Sequence, residues 1–222
     1  MCTEQLVDLA RNILLLLAGW LLGLLSPMID SARKKRVLLR EVRQGIAADL
    51  DVASLKLTTH HYRLCLKSAG VSRDLLAWIE PRIRRHGHVA EKPEILRVIE
   101  EMKEMDNGAF TEYNKELIDR ESKSSPTLKR IELPYLMSNL GLLGAFGRKV
   151  RVDALEVISY LQSLNAEIDL AWWFYQKTLE PSVMMVNSDL VIDNLNATYG
   201  NLADMCRREV ELIEKLEEHL AT

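Results

Sequence analysis

The chain has 222 residues, 48% of them hydrophobic and 27% charged, with a formal net charge of −3, and the roughly 190 residues that follow an apolar N-terminal stretch suffice for one substantial core or two small ones. The charge is segregated: residues 30 to 43 hold six basic and two acidic side chains and residues 91 to 121 hold five basic and ten acidic, which puts the basic end beside the apolar stretch and argues against a nucleic-acid binder. Three cysteines, Cys2, Cys65 and Cys206, are odd in number and far apart, so they read as free thiols of a reducing compartment and not as a disulfide framework.

Residues Ile13 to Leu25 read ILLLLAGWLLGLL, and the uncharged window around them extends from Asn12 to Ile29. At 1.5 Å per residue that window is about 27 Å long, enough to span a hydrocarbon core. A cleaved signal peptide would need a basic start and a small-x-small site, whereas Glu4 and Asp8 precede the run and Ser26-Pro27-Met28-Ile29-Asp30 follows it. Cys2 precedes the apolar run, the wrong side for a lipoprotein acylation site. A core helix would need protein on every side of the run. Residues 1–29 are therefore expected to be a retained transmembrane anchor.

Arg33, Lys34, Lys35, Arg36, Arg40 and Arg43 lie behind the span, against Arg11 ahead of it. That asymmetry predicts an N-terminus outside and residues 30 to 222 in the cytoplasm. Arg33, Lys34, Lys35 and Arg36 are also candidates for contact with anionic lipid headgroups. Within the span, Gly19 and Gly23 form a small-xxx-small pair that permits close approach of two helices, a candidate seam for self-association.

Helical periodicity continues nearly everywhere, and no alternating strand is evident. The expected fold is all-α: a transmembrane helix, a basic membrane-proximal helix over 30–45 with Gly45 as a hinge, and a cytoplasmic antiparallel helical bundle over 46–222. Pro27 should end or kink the membrane helix. A long helix to Ser68 then carries Leu39, Val42, Ile46, Leu50, Leu57 and Leu64 on one stripe and closes at Ala69-Gly70. Ser72 is placed to cap a second helix bearing Leu75, Leu76, Trp78 and Ile79, which should end at His86-Gly87-His88.

Pro93 should open a third helix, with Asp106-Asn107-Gly108 breaking it, and a short helix is expected from Phe110 to Ile118. The polar stretch from Arg120 to Pro126 reads as a loop open to proteolysis. Leu133 to Gly147 is uncharged but short and holds three glycines, so it should be a short helix buried in the core and not a second span. Two long helices finish the chain. The first, about Val152 to Leu179, has a stripe of Leu155, Ile158, Leu161, Leu164, Ile168, Trp172 and Tyr175. The second, about Ser188 to Leu220, has Val191, Leu195, Leu202, Met205, Ile213, Leu216 and Leu220 inward, with Glu209, Glu211, Glu214, Glu217 and Glu218 outward.

The stretch Ser138-Asn139-Leu140-Gly141-Leu142-Leu143-Gly144, followed by Val157 to Ile168 (VISYLQSLNAEI), resembles a pattern found in uncharacterised bacterial single-pass inner-membrane proteins. These have an N-terminal anchor, a basic linker and a helical cytoplasmic domain. The resemblance covers the anchor, the linker and roughly residues 130 to 170. It implies a bacterial inner-membrane protein and carries no activity or catalytic residue with it.

Candidate chemistry is sparse. His60 and His61, with His86 and His88, could be imagined as a metal cluster, but none has a carboxylate or cysteine at the short spacings of known sites. One core histidine beside a surface one is expected, with no metal and no cofactor. Arg82, Arg84 and Arg85 should form ion pairs with Asp49 and Asp51. Glu100, Glu101 and Glu104 form a solvated face. In Trp172-Trp173-Phe174-Tyr175, Trp172 and Tyr175 share a helical face while Trp173 looks elsewhere, which makes Trp173 a candidate partner surface. The leading expectation is a membrane-tethered interaction or sensor module, with membrane lipids and a protein partner or a second copy as partners. The alternatives are an oligomerising, membrane-perturbing effector and, third, an enzyme with a site near His60 and His61.

Overall fold

The computed structural model describes residues 2–68, 70–85, 92–122, 128–180 and 188–221. These residues are helical, without a strand among them: α1 (Cys2–Ser68), α2 (Arg73–Arg85), α3 (Lys92–Glu104), α4 (Asn107–Ser122), α5 (Pro134–Ser138), a 3₁₀ segment (Leu140–Phe146), α6 (Arg148–Thr178) and α7 (Ser188–Ala221). The chain divides into two compact units, Met1–Gly45 and Ile46–Thr222. In the first unit α1 runs through Pro27, which neither ends nor replaces the helix. Proline removes one amide donor and frees the carbonyl of Gly23, a loss that one helical turn can carry.

The second unit is built on the antiparallel pair of α6 and α7. Asp153 meets Lys215 at 2.7 Å and also contacts His219, Glu156 meets Lys215 at 3.3 Å, and Glu167 accepts from Asn201 at 2.9 Å. Partners on α7 fall in number as those on α6 rise, which fixes the direction. The buried side of α6 is Val150, Ala154, Val157, Leu161, Leu164, Ile168 and Ala171, alternating steps of four and three that hold one stripe toward the partner helix. Leu155, expected on that stripe, is 48% exposed.

The remaining helices share an apolar core of Leu66, Leu76, Ile79, Ile99, Met102 and Leu117, and polar caps fix the turns between them. Gly70 has φ +81°, and a Cβ there would stand 2.8 Å from Ile118 Cδ1, so both the turn and the packing require glycine. Beside it the Asn114 side chain accepts from the Val71 amide and donates to the Val71 carbonyl, both at 3.0 Å. Ser72 Oγ accepts from the Leu75 amide at 3.1 Å, the cap expected for α2. Asp106 Oδ1 accepts from the Ala109 amide at 2.9 Å. α3 ends at Glu104, so the break falls at Met105 and Asp106 as expected, while Asn107 and Gly108 are already the first residues of α4, which Asp106 caps. The polar stretch at 120–126 is also corrected in part: Arg120, Glu121 and Ser122 belong to α4, while 123–127 lie outside the described residues, as does the expected turn at His86, Gly87 and His88.

Leu133 to Gly147 is not one buried helix. It is α5 followed by the 3₁₀ segment, with Leu133, Leu136 and Leu143 buried and Tyr135 and Met137 at 37% and 45% exposure. Its orientation comes from Asp49 on α1, whose Oδ2 accepts from the Tyr135 amide at 2.6 Å and the Leu136 amide at 3.0 Å, filling the first-turn donors of α5. The preceding strand of chain is tied to α6 by Asn165, which accepts from the Ile131 amide at 2.9 Å and donates to the Ile131 carbonyl at 2.8 Å. Trp172 Nε1 donates to the Leu128 carbonyl at 2.9 Å.

Asn165→Ala deletes both bonds to Ile131 and should cost about 2 kcal/mol, whereas Ser163→Ala on the exposed side of α6 should stay within about 0.5 kcal/mol. Thermal melting of the two full-length variants, side by side with the parent chain, reads the difference; equal melting temperatures would contradict the role given to Asn165.

Candidate functional site

Three places in the described residues depart from ordinary core or ordinary solvated surface. The first is the apolar stretch of α1 in the N-terminal unit. Leu14, Leu15, Leu16, Leu17, Trp20, Leu21, Leu22, Leu24, Met28 and Ile29 are exposed by 51% to 74%, and this helix is long and apolar enough to cross a membrane. A Cβ added at Gly19 or Gly23 would meet nothing within 4 Å. Their backbone is open. Arg33, Lys34, Lys35 and Arg36 follow on the same helix, all exposed, with Lys34 paired to Asp30 at 2.8 Å.

The second place is a set of buried polar side chains in the unit 46–222. His60 and His61 are 8% and 4% exposed, so neither is the surface histidine that was expected. Both follow from their position in α1, where Leu57, Leu64 and the two imidazoles all fall on sides covered by the fold. The His61 ring meets Trp78 edge-on at 5.1 Å, and its Nδ1 lies 3.8 Å from Cys65 Sγ. Arg82 stacks over the Trp78 ring at 4.0 Å, with Arg207 at 5.6 Å. Burial lowers the pKa of both histidines, outweighing the carbonyls of Lys129 and Ala203, which favour the charged forms of His60 and His61 respectively.

Glu209, expected outward, is fully buried, with both carboxylate oxygens unpartnered. Burial pushes its pKa to about 8, with Glu156 adding to the rise. Thr58, also fully buried, leaves Oγ1 unpartnered. Burial raises the Cys65 thiol to about 11 and the Cys206 thiol further, which makes both poor nucleophiles at neutral pH. No group of three or more His, Cys, Asp or Glu side chains among the described residues is placed to hold a metal ion; His86 and His88 lie outside those residues.

The arginines of α2 pair elsewhere than expected. Arg82 meets Glu214 and Arg85 meets Glu217, each at 2.7 Å, while Arg84 joins Glu80 and Glu100. It is α7, with its acidic residues, that lies along this side of α2, and Asp49 is occupied in capping α5.

The third place is the end of the α6–α7 pair. Trp172 and Tyr175 share a face, with rings edge-on at 5.8 Å. Trp173 points away and is 51% exposed, touching Phe174 at 5.0 Å and Lys177 at 5.6 Å. Leu170, Leu179, Leu190 and Ile192 are 40% to 62% exposed at the same end. Comparison of the chain with protein-family models, with curated protein sequences and with solved structures finds no match.

The buried groups make stability depend on pH from both sides. An unfolded Glu209 ionises near pH 4.5 whereas the folded one holds its proton to about pH 8, so stability falls between those values by on the order of 1.4 kcal/mol per pH unit. The histidines act oppositely: unfolded rings protonate near pH 6.5 while the folded ones resist, so their contribution is present above that value and lost as pH falls below it. Glu209→Gln should therefore raise the melting temperature at pH 8.5 and leave it nearly unchanged at pH 5. An equal effect at both values would place the Glu209 carboxylate in water.

Proposed function

We propose that the chain is a membrane-tethered helical interaction module. α1 crosses the bacterial inner membrane once with its N-terminus outside, and the unit 46–222 works in the cytoplasm. The observation that carries this reading is the exposed apolar surface of α1 followed directly by exposed basic side chains. Apolar surface of that extent in water is unfavourable by about 25 cal/mol per Å², and lipid removes the penalty; the cations then fall where anionic headgroups and the positive-inside rule favour them. The resemblance to bacterial single-pass proteins supports the choice of membrane.

The interaction surface is the end of the α6–α7 pair around Trp173. Large exposed aromatics flanked by leucines are the residues that anchor protein interfaces, and Trp173 keeps half its surface free while its neighbours Trp172 and Tyr175 are spent on packing. The partner is a protein whose apolar side chain covers the indole.

Two measurements on the full chain in its membrane test this. In a Cys2→Ser background, which removes the thiol that this orientation puts outside, a cysteine placed at the exposed Lys115 should react with an impermeant maleimide only after the membrane is opened; reaction in intact cells would reverse the orientation. A photo-crosslinking residue in place of Trp173 should give one adduct of discrete mass that the same residue at Lys115 does not give. An identical adduct pattern at both positions would remove Trp173 from the interaction surface.

A further inference from the structure

An apolar groove of about 240 Å³ runs between the chain segment 131–137 and α6, with Leu133, Pro134, Met137, Ile158 and Leu161 in its walls. Asn165 closes one end, held by its two bonds to Ile131, and Glu132 stands at that end. The groove is therefore pre-formed: its walls are a helix and a segment stapled to it.

On α6, residues 151, 155, 158, 162 and 165 are spaced by four, three, four and three, which places them on one stripe. The stripe begins with the exposed cation Arg151, continues with Leu155, 48% exposed, and enters the groove at Ile158, Gln162 and Asn165. Its length is about 21 Å at 1.5 Å per residue, close to an extended long-chain acyl group. Arg148 and Lys149 are exposed beside Arg151, and none of the three is in an ion pair among the described residues. From Leu133 to Val152 the chain holds these three cations and no acidic residue.

Along one line, then, there is a positive end, an exposed leucine and an apolar slot. Gly141 and Gly144 sit in the 3₁₀ segment nearby, where an added Cβ would meet nothing within 4 Å. Packing within the fold does not call for glycine at either place, and its backbone freedom costs about 1 kcal/mol relative to alanine in a helical turn. Their bare backbone leaves that surface low.

We infer that this groove binds one acyl chain of an anionic phospholipid, with the phosphate on Arg148, Lys149 and Arg151 and the chain laid along Leu155 and Ile158. The three cations at the start of α6 set the direction, because they attract the anionic head. The inference rests on the membrane-tether reading only for the supply of lipid.

The test uses the full-length chain in nanodiscs doped with phosphatidylglycerol carrying a photoreactive acyl chain, with adducts located by mass spectrometry. Adducts are expected on Met137 and Ile158, at least fivefold above those from the phosphatidylcholine analogue. A photoreactive group near the glycerol should shift labelling toward Leu155, and one near the chain end toward Asn165. Arg148→Gln/Lys149→Gln/Arg151→Gln should lower groove labelling about fivefold per cation lost. Equal labelling by both headgroups, or none in the groove, overturns the inference without needing any variant. Equally strong labelling by a photoreactive oleate in place of the phospholipid overturns it in favour of a free fatty acid. Adducts on Leu14 to Leu24 report the tether separately: their absence would sink the tether reading while the groove result stands by itself.

Discussion

The N-terminal unit presents a helix surface that water does not tolerate. Leu14 to Leu17, Trp20 to Leu22 and Leu24 put eight large apolar side chains outward, and no other described residue covers them in the N-terminal unit. Backbone polarity is not the obstacle, since an α-helix satisfies its own donors and acceptors; that is the condition a segment must meet to enter hydrocarbon. What remains is side-chain surface, and lipid is the solvent that suits it. The cations that follow, Arg33 to Arg36, would be awkward against a protein core and are well placed at a headgroup layer.

The unit 46–222 shows the opposite economy. Its polar caps are used at long range: Asp49 starts α5, Asn114 holds the turn at Val71, and Asn165 staples the segment before α5 to α6. These side chains fix where the short elements lie on the long ones, so the groove along α6 and the exposed end of the α6–α7 pair are set by hydrogen bonds as well as by packing. Against this, Thr58, His60, His61 and Glu209 are buried with polar atoms unpartnered. Each costs free energy on the order of 1–3 kcal/mol, and of the four only His61 meets Trp78.

Much of this was legible in the sequence, and the failures have physical causes. The helices were readable because Leu161, Leu164 and Ile168, or Ile46, Leu50 and Leu57, repeat at the helical period. Ser72 was readable as a cap because its role is local. Glu209 lies three residues after Cys206 and four before Ile213 and so falls on the buried stripe, but a carboxylate there contradicts the residue-type preference for a solvated face. The break after α3 is legible at Asp106, but not that the same side chain caps α4 and so starts it at Asn107 ahead of Phe110. The partners of Arg82 and Arg85, Glu214 and Glu217, are 132 residues away, and no local pattern announces a contact at that separation. Trp173 was legible as exposed because its neighbours one before and two after share a face that it cannot.

Retention in the membrane is the central claim of the proposed function, and alkaline carbonate extraction of membranes holding the full chain tests it most directly. The account predicts that the chain stays in the pellet, and that Leu17→Arg/Leu21→Arg, which puts two charges in the centre of the apolar stretch, releases it to the supernatant. Release of the unaltered chain under the same conditions would contradict the tether and leave the apolar face of α1 to be covered by protein.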